Sequence, residues 1–169
     1  MGDPSFNERD GLIGGGDTPW QNNGISPGII LRTTDGGKSW RSVHRSQTRI
    51  SDFAFVNAKI GYAGGVNGVL LKTVDSGVSW RQIARTPLSA IINAVEFVTE
   101  NCGVIVGAGG TAYVTKDGGK SWPIRIKVTE GSFLEDLAPS GPGGRPSEFL
   151  TVAGNGTVGR IEFSNFCAP

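Results

Sequence analysis

The residues of this chain best suited to chemistry are carboxylates set at a regular distance. Asp35, Asp75 and Asp117 stand 40 and 42 residues apart, in T-T-D-G-G-K-S-W (Thr33 to Trp40), T-V-D-S-G-V-S-W (Thr73 to Trp80) and T-K-D-G-G-K-S-W (Thr115 to Trp122). A carboxylate among hydroxyls can serve as a general acid or base, or as a cation ligand. Triplication argues against both, because a reaction needs its acid once, whereas a turn is needed once per repeat. The formula Ser/Thr-x-Asp-x-Gly-x-Ser/Thr-Trp suits a hairpin turn. The Asp accepts from backbone N–H groups that a tight turn leaves unpaired, the Gly admits φ > 0, and the Trp covers the corner with an apolar face. Asp35, Gly37, Trp40, Asp75, Gly77, Trp80, Asp117, Gly119 and Trp122 are therefore read as structural.

The remaining candidates form no catalytic set. Glu135 and Asp136 are adjacent, so a strand sends them to opposite faces. His44, the single histidine, follows the Trp40 strand and reads as a surface residue. The G-A-G-G at Gly107 to Gly110 precedes a strand pattern and not a helix, which makes it a tight turn and not a phosphate cradle. Tyr62 and Tyr113 fall inside apolar strand patterns, where a core or inter-sheet role is expected. No metal site and no cofactor is expected. Cys102 and Cys167 leave two readings open: a disulfide, if the C-terminal tail folds back onto the third repeat, or a buried thiol at Cys102 with a loose tail at Cys167.

These residues are held by a turn-rich, all-β composition. The chain has 169 residues with 27 Gly, 9 Pro and 37% hydrophobic residues, and no apolar run near 18 residues, so a single soluble domain over 1–169 without a membrane span is expected. A formal net charge of +1 gives no basis for bulk nucleic-acid binding. The first ten residues show no basic and apolar export signal.

Aligning on the boxes predicts repeats at about 11–49, 50–90, 91–130 and 131–163. Full repeats read as four strands: Trp40 to Val43, Ile50 to Val56, Ile60 to Gly65 and Val69 to Thr73, then Trp80 to Ile83, Ile92 to Val98, Val104 to Gly107 and Thr111 to Thr115. Short strands in a unit of about 40 residues describe β-propeller blades. The ends add Gly11 to Gly15 and Ile29 to Thr33, then Trp122 to Val128, Phe133 to Leu137, Phe149 to Ala153 and Thr157 to Phe163. Gly16 to Gly28 and Ala138 to Ser147 read as loops. With each box joining the third and fourth strands of a blade, the chain supplies three, four, four and three strands. That makes an Asp-box (BNR) array of about three and a half blades. Because propellers avoid exposed edges by closing, the array is expected to belong to a longer propeller, close as a small ring, or be completed by a partner or a second copy.

The segments G-V-L-L-K-T-V-D-S-G-V-S-W-R-Q-I (Gly68 to Ile83), I-N-A-V-E-F-V (Ile92 to Val98) and G-V-I-V-G-A-G-G-T (Gly103 to Thr111), with G-Y-A-G-G at Gly61 to Gly65, resemble the repeats of the photosystem II stability and assembly factors of chloroplasts and cyanobacteria. The resemblance runs from about Leu12 to Ile161 and amounts to half a family propeller. It implies a non-enzymatic protein of the thylakoid lumen, either an assembly factor or an accessory subunit of a photosynthetic membrane complex, with photosystem subunits as partners. A sialidase-like or lectin-like propeller is the alternative. The sialidase form would need an arginine triad and a Tyr/Glu pair, and only Tyr62 and Tyr113 are available.

One feature goes beyond scaffold. A basic residue recurs five positions after each box Trp, at Arg45, Arg85 and Lys127, with Arg49 close by. These positions lie where a fourth strand hands over to the next blade, on the face opposite the boxes, and should line one rim. The resemblance implies a basic face that receives a client, so this rim is the expected protein-binding surface. Arg41 and Arg81, directly after Trp, read as charges on the outer edge that block edge-to-edge pairing.

Overall fold

In a computed structural model, the structure describes residues 9–16, 27–140, 148–162 and 166–167, with Arg85 described by its backbone alone. Most of the expected loops Gly16 to Gly28 and Ala138 to Ser147, the expected strand end at Phe163 and the first eight residues lie outside the described residues. Fourteen strands among the described residues form four antiparallel sheets. The first sheet has β1 (Gly11–Gly16), β2 (Gly28–Thr33) and β3 (Arg41–Ser46), and the second has β4 (Ile50–Phe55), β5 (Gly61–Gly65), β6 (Val69–Thr73) and β7 (Arg81–Arg85). The third has β8 (Ile92–Phe97), β9 (Gly103–Gly107), β10 (Thr111–Thr115) and β11 (Ile124–Lys127). The fourth has β12 (Leu134–Ser140), β13 (Glu148–Ala153) and β14 (Val158–Glu162). This is the expected sequence of three, four, four and three strands, a partial β-propeller.

The strands read as apolar runs because both faces of the middle sheets are covered. On β6, Val69 and Leu71 join Ile30, Ile50, Ala63 and Trp80 in the core between the first two sheets, whereas Leu70 joins Tyr62, Val95, Phe97 and Ile105 in the next. A third core, with Val104, Val106, Val114, Leu134, Phe149 and Ile161, joins the last two sheets. The leading strands pack in order, β1 on β4, β4 on β8 and β8 on β12, with no comparable contact between first and last sheets among the described residues.

Each box closes its corner by the same bonds. Thr73 Oγ1 donates to Asp75 Oδ1 at 2.8 Å and accepts from Gly77 N at 2.9 Å, while Ser79 N and Oγ donate to the two carboxylate oxygens at 2.9 and 2.6 Å. Asp35 and Asp117 are bonded alike. The Ser39 side-chain and backbone hydrogen bonds lower the pKa of Asp35 to about 2. Asp75 and Asp117 also lie below the usual range, because bonds from Ser79 and Ser121 outweigh a burial effect of opposite sign.

Several boundaries differ from expectation, and β3 and β7 run past the expected ends at Val43 and Ile83 to Ser46 and Arg85, so that Arg45 and Arg85 lie within strands. The strands begin after the Trp and not on it, at Arg41, Arg81 and Ile124; Trp40 Nε1 donates to Gly37 O of its corner at 3.1 Å, whereas Trp80 and Trp122 bury their indoles in the cores between sheets. β12 runs on to Ser140 instead of ending at Leu137, since Ala138 and Pro139 pair with Leu150 and Phe149. A register shift between Leu134 and Asp136 takes Glu135 out of the ladder, and matching shifts follow Ile50 and Ile92. Cys102 and Cys167 form a disulfide with Cα atoms 6.1 Å apart, a separation a disulfide readily spans, which ties the tail to the third sheet.

Candidate functional site

The basic residues after each box occupy one register position. Arg45 pairs with Ile29 of β2, Arg85 with Val69 of β6 and Lys127 with Thr111 of β10, in each case at the strand end remote from the box. The side chain of Arg85 lies outside the described residues. Arg45 is exposed and Arg49 half-buried. The Lys127 ammonium is engaged by Glu130 Oε2 at 3.1 Å and reaches Gly109 O at 3.4 Å, so it offers less free charge than Arg45.

The backbone carrying these groups is fixed by glycine. Val66 N donates to Arg49 O at 2.9 Å, and a Cβ at Gly65 would collide with that carbonyl. A Cβ at Gly28 would likewise strike Thr48 O, and one at Gly107 would strike Ile91 O. Each connection between sheets is thus seated on a bare strand end, and binding at the rim would need little ordering of backbone.

A cleft of about 220 Å³ opens beside the rim between the first two sheets, with His44, Arg45 and Thr48 on one side and Val69, Leu71 and Gln82 on the other. Burial lowers the pKa of His44, which keeps it neutral at pH 7 and leaves Arg45 as the charge there. His44 is half-buried on β3 opposite Ile30 and not a free surface residue, because the first sheet packs that face on the second. A second cleft, of about 340 Å³, lies at the box end and is lined by Lys72, Arg81, Asn101, Asp117 and Lys120. Sequence reading missed this convergence, since Lys72, Arg81 and Lys120 come from two repeats and meet only when the sheets pack.

Neither tyrosine is placed for catalysis. Tyr62 is fully buried with its hydroxyl donating to Glu100 O at 2.7 Å, and Tyr113 is half-buried under the Arg125 guanidinium, 5.6 Å from the ring centre. Ala108–Gly110 makes a single 3-10 turn between β9 and β10. Among the described residues no group of three His, Cys, Asp or Glu is placed to hold a metal ion. No helix there is long and apolar enough to cross a membrane.

Carboxylates gather instead on the leading strands. Asp52 Oδ2 accepts from Val95 N at 2.9 Å, which bridges β4 to β8, and Asn93 Nδ2 donates to Leu134 O at 2.9 Å, which bridges β8 to β12. Burial raises the Glu96 pKa to about 7, with Asp52 and Asp136 adding repulsion, and burial also raises Asp52. A carboxyl that binds its proton more tightly when folded makes stability fall as pH rises from the unfolded value of 4.5 through 7. After allowance for solvent screening of a half-exposed group, we expect about 1–2 kcal/mol to be lost over that interval and Glu96→Gln to flatten the dependence. Melting curves at pH 5 and pH 8 provide the test, and a parallel dependence in wild type and variant would refute the assignment to Glu96.

Comparison with known proteins agrees with this architecture. A family model described as "Photosynthesis system II assembly factor YCF48" matches residues 45–123, and no curated protein matches the chain. The solved structure "YCF48 bound to D1 peptide" superposes with a TM-score of 0.61 at 24% identity, covering 88% of this chain and 45% of that one. YCF48 from Cyanidioschyzon merolae superposes at 0.54 and 24%, covering 82% and 51%. The computationally designed Ika4 protein superposes at 0.61 and 15%, covering 82% and 83%. Residues 45–123 therefore match the repeat described for the photosystem II assembly factors, and the chain shares the propeller fold of these solved structures while spanning about half the length of the two YCF48 chains.

Proposed function

We propose that this chain is a non-enzymatic docking module for a photosystem subunit, acting in the thylakoid lumen and receiving its client on the rim of Arg45, Arg49, Arg85 and Lys127. The observation that carries the proposal is the equivalent register of three basic residues on one rim, inside or just beyond the segment that matches the assembly-factor family. A relative solved with a D1 peptide supports a photosystem polypeptide as the client. Basic residues beside a cleft lined in part by Val69 and Leu71 suit an extended segment carrying carboxylates, with charge steering the encounter and setting register. The chain acts as an assembly factor on this reading, and an accessory subunit would use the same rim.

Anisotropy of a labelled D1-derived peptide tests the proposal. The Arg45→Glu, Arg49→Glu, Arg85→Glu variant should weaken binding at least tenfold, which is on the order of 1.4 kcal/mol or more. Arg81→Glu with Lys120→Glu, at the box end, should bind as wild type. Unchanged affinity in the rim variant, with its melting temperature preserved, would remove the rim from the interface.

A further inference from the structure

The box-end cleft of about 340 Å³ lies between the second and third sheets, inside the array, and every residue lining it falls within residues 45–123. Its wall carries three cations, Lys72, Arg81 and Lys120, beside the amide side chains of Gln82 and Asn101. Lys72 and Arg81 stand directly opposite each other across β6 and β7, an arrangement of like charges that costs stability. Lys120 is brought up to them from the third corner.

The first sheet repeats the opposed pair, and there the charge is answered. Arg32 faces Arg41 across β2 and β3, and Asp10 Oδ1 accepts from the Arg32 guanidinium at 3.2 Å. In the cleft, by contrast, no carboxylate among the described residues forms an ion pair with Lys72, Arg81 or Lys120. Asp117 also lines the cleft, but its oxygens already accept from Thr115 and Ser121, so three cations stand against one carboxylate committed to its corner.

The floor beneath these charges is fixed. Tyr62 donates its hydroxyl to Glu100 O at 2.7 Å and Gly118 N donates to Asn101 O at 2.8 Å, which pins the second sheet and the third corner to the same connection between β8 and β9. Gly118 has a φ of +74°, and a Cβ there would press on Glu100 O at 3.0 Å, so the corner closes on that connection only with glycine. The Lys72 ammonium is held over the buried Tyr62 ring, 5.0 Å from its centre. Groups held in this way lose little freedom when a ligand arrives.

We propose that this cleft binds the phosphoryl group of a small molecule or of a lipid headgroup, with the Arg81 guanidinium forking onto its oxygens and the Lys72 and Lys120 ammoniums balancing the rest of its charge. A tetrahedral oxyanion with a charge of about −2 offers an oxygen to each cation, whereas a monocarboxylate leaves most of the charge unanswered. A volume in the usual range for small-molecule sites leaves room for the group that bears the phosphoryl. The site is separate from the rim and independent of the client received there.

Isothermal titration of the full chain with inorganic pyrophosphate, and its sedimentation with phosphatidylcholine vesicles containing phosphatidic acid, separate the two sources. Saturable binding of pyrophosphate assigns the site to a soluble phosphate compound, and binding to the vesicles alone assigns it to a headgroup. In either case Arg81→Gln with Lys120→Gln should weaken binding by about tenfold or more. Lys38→Gln with Lys116→Gln, at exposed corner lysines outside the cleft, should leave it unchanged. Acetate should show no saturable binding. All four side chains are exposed, so the melting temperatures of both variants should match wild type. Absence of binding to both probes, equal weakening by the two double variants, or acetate binding as tight as pyrophosphate would each overturn the proposal.

Discussion

Truncation of Tyr62 to alanine should lower stability by about 4 kcal/mol, within the usual range for removing a buried aromatic ring. Tyr62 extends from β5 into the joint between the second and third sheets, where its ring stacks on Phe97 with centroids 3.6 Å apart and planes within 4°. Phe97 in turn meets the edge of Trp122 at 6.4 Å, so one residue of the second sheet anchors the Trp-bearing face of the third. The fully buried ring leaves a cavity that Leu70 and Ile105 fill only by moving close-packed strands. Tyr62→Phe separates packing from hydrogen bonding. It keeps the stack and strands the Glu100 carbonyl, at an expected cost of about 1 kcal/mol. Urea unfolding of the three proteins decides the matter. A loss below about 1.5 kcal/mol in Tyr62→Ala would mean that this joint is not carried by the aromatic stack.

Opening the Cys102–Cys167 disulfide should cost about 4 kcal/mol, the loop-closure value for a separation of 65 residues and the upper end of what such cross-links deliver. The expected fall in melting temperature is about 10 °C for a chain of this size. The cross-link holds the end of the chain against the core between the last two sheets, where Cys102 is buried and Phe166 and Cys167 pack at its margin. Thermal scans with and without dithiothreitol give the result directly. The Cys102→Ala, Cys167→Ala variant should melt at the reduced wild-type temperature and ignore the reductant. Equal melting of oxidised and reduced wild type would show that the tail adds nothing to the third sheet.

The corners were legible in the sequence because their chemistry is local. Thr, Asp, Gly and Ser lie within six residues of one another and satisfy each other without help from the rest of the chain. Once the corners were placed, the fixed offset from Trp put the backbone of Arg45, Arg85 and Lys127 at a single register position. Relations between sheets were not legible. Tyr62 finds Glu100 across 38 residues and Asp52 finds Val95 across 43, and no periodicity names such partners. The clustering of Asp52, Glu96 and Asp136 was hidden for the same reason, since each carboxylate belongs to a different repeat. The bond between Cys102 and Cys167 depended on where the tail lies, which neither cysteine could indicate. The Lys127–Glu130 pair is a local contact that spacing alone could have suggested.

Among the described residues, strands touch their own sheet and the sheets beside it, and no more distant part carries a comparable share of the packing. A gain or loss of one 40-residue unit would therefore leave every surviving joint with a partner of the kind it already fits.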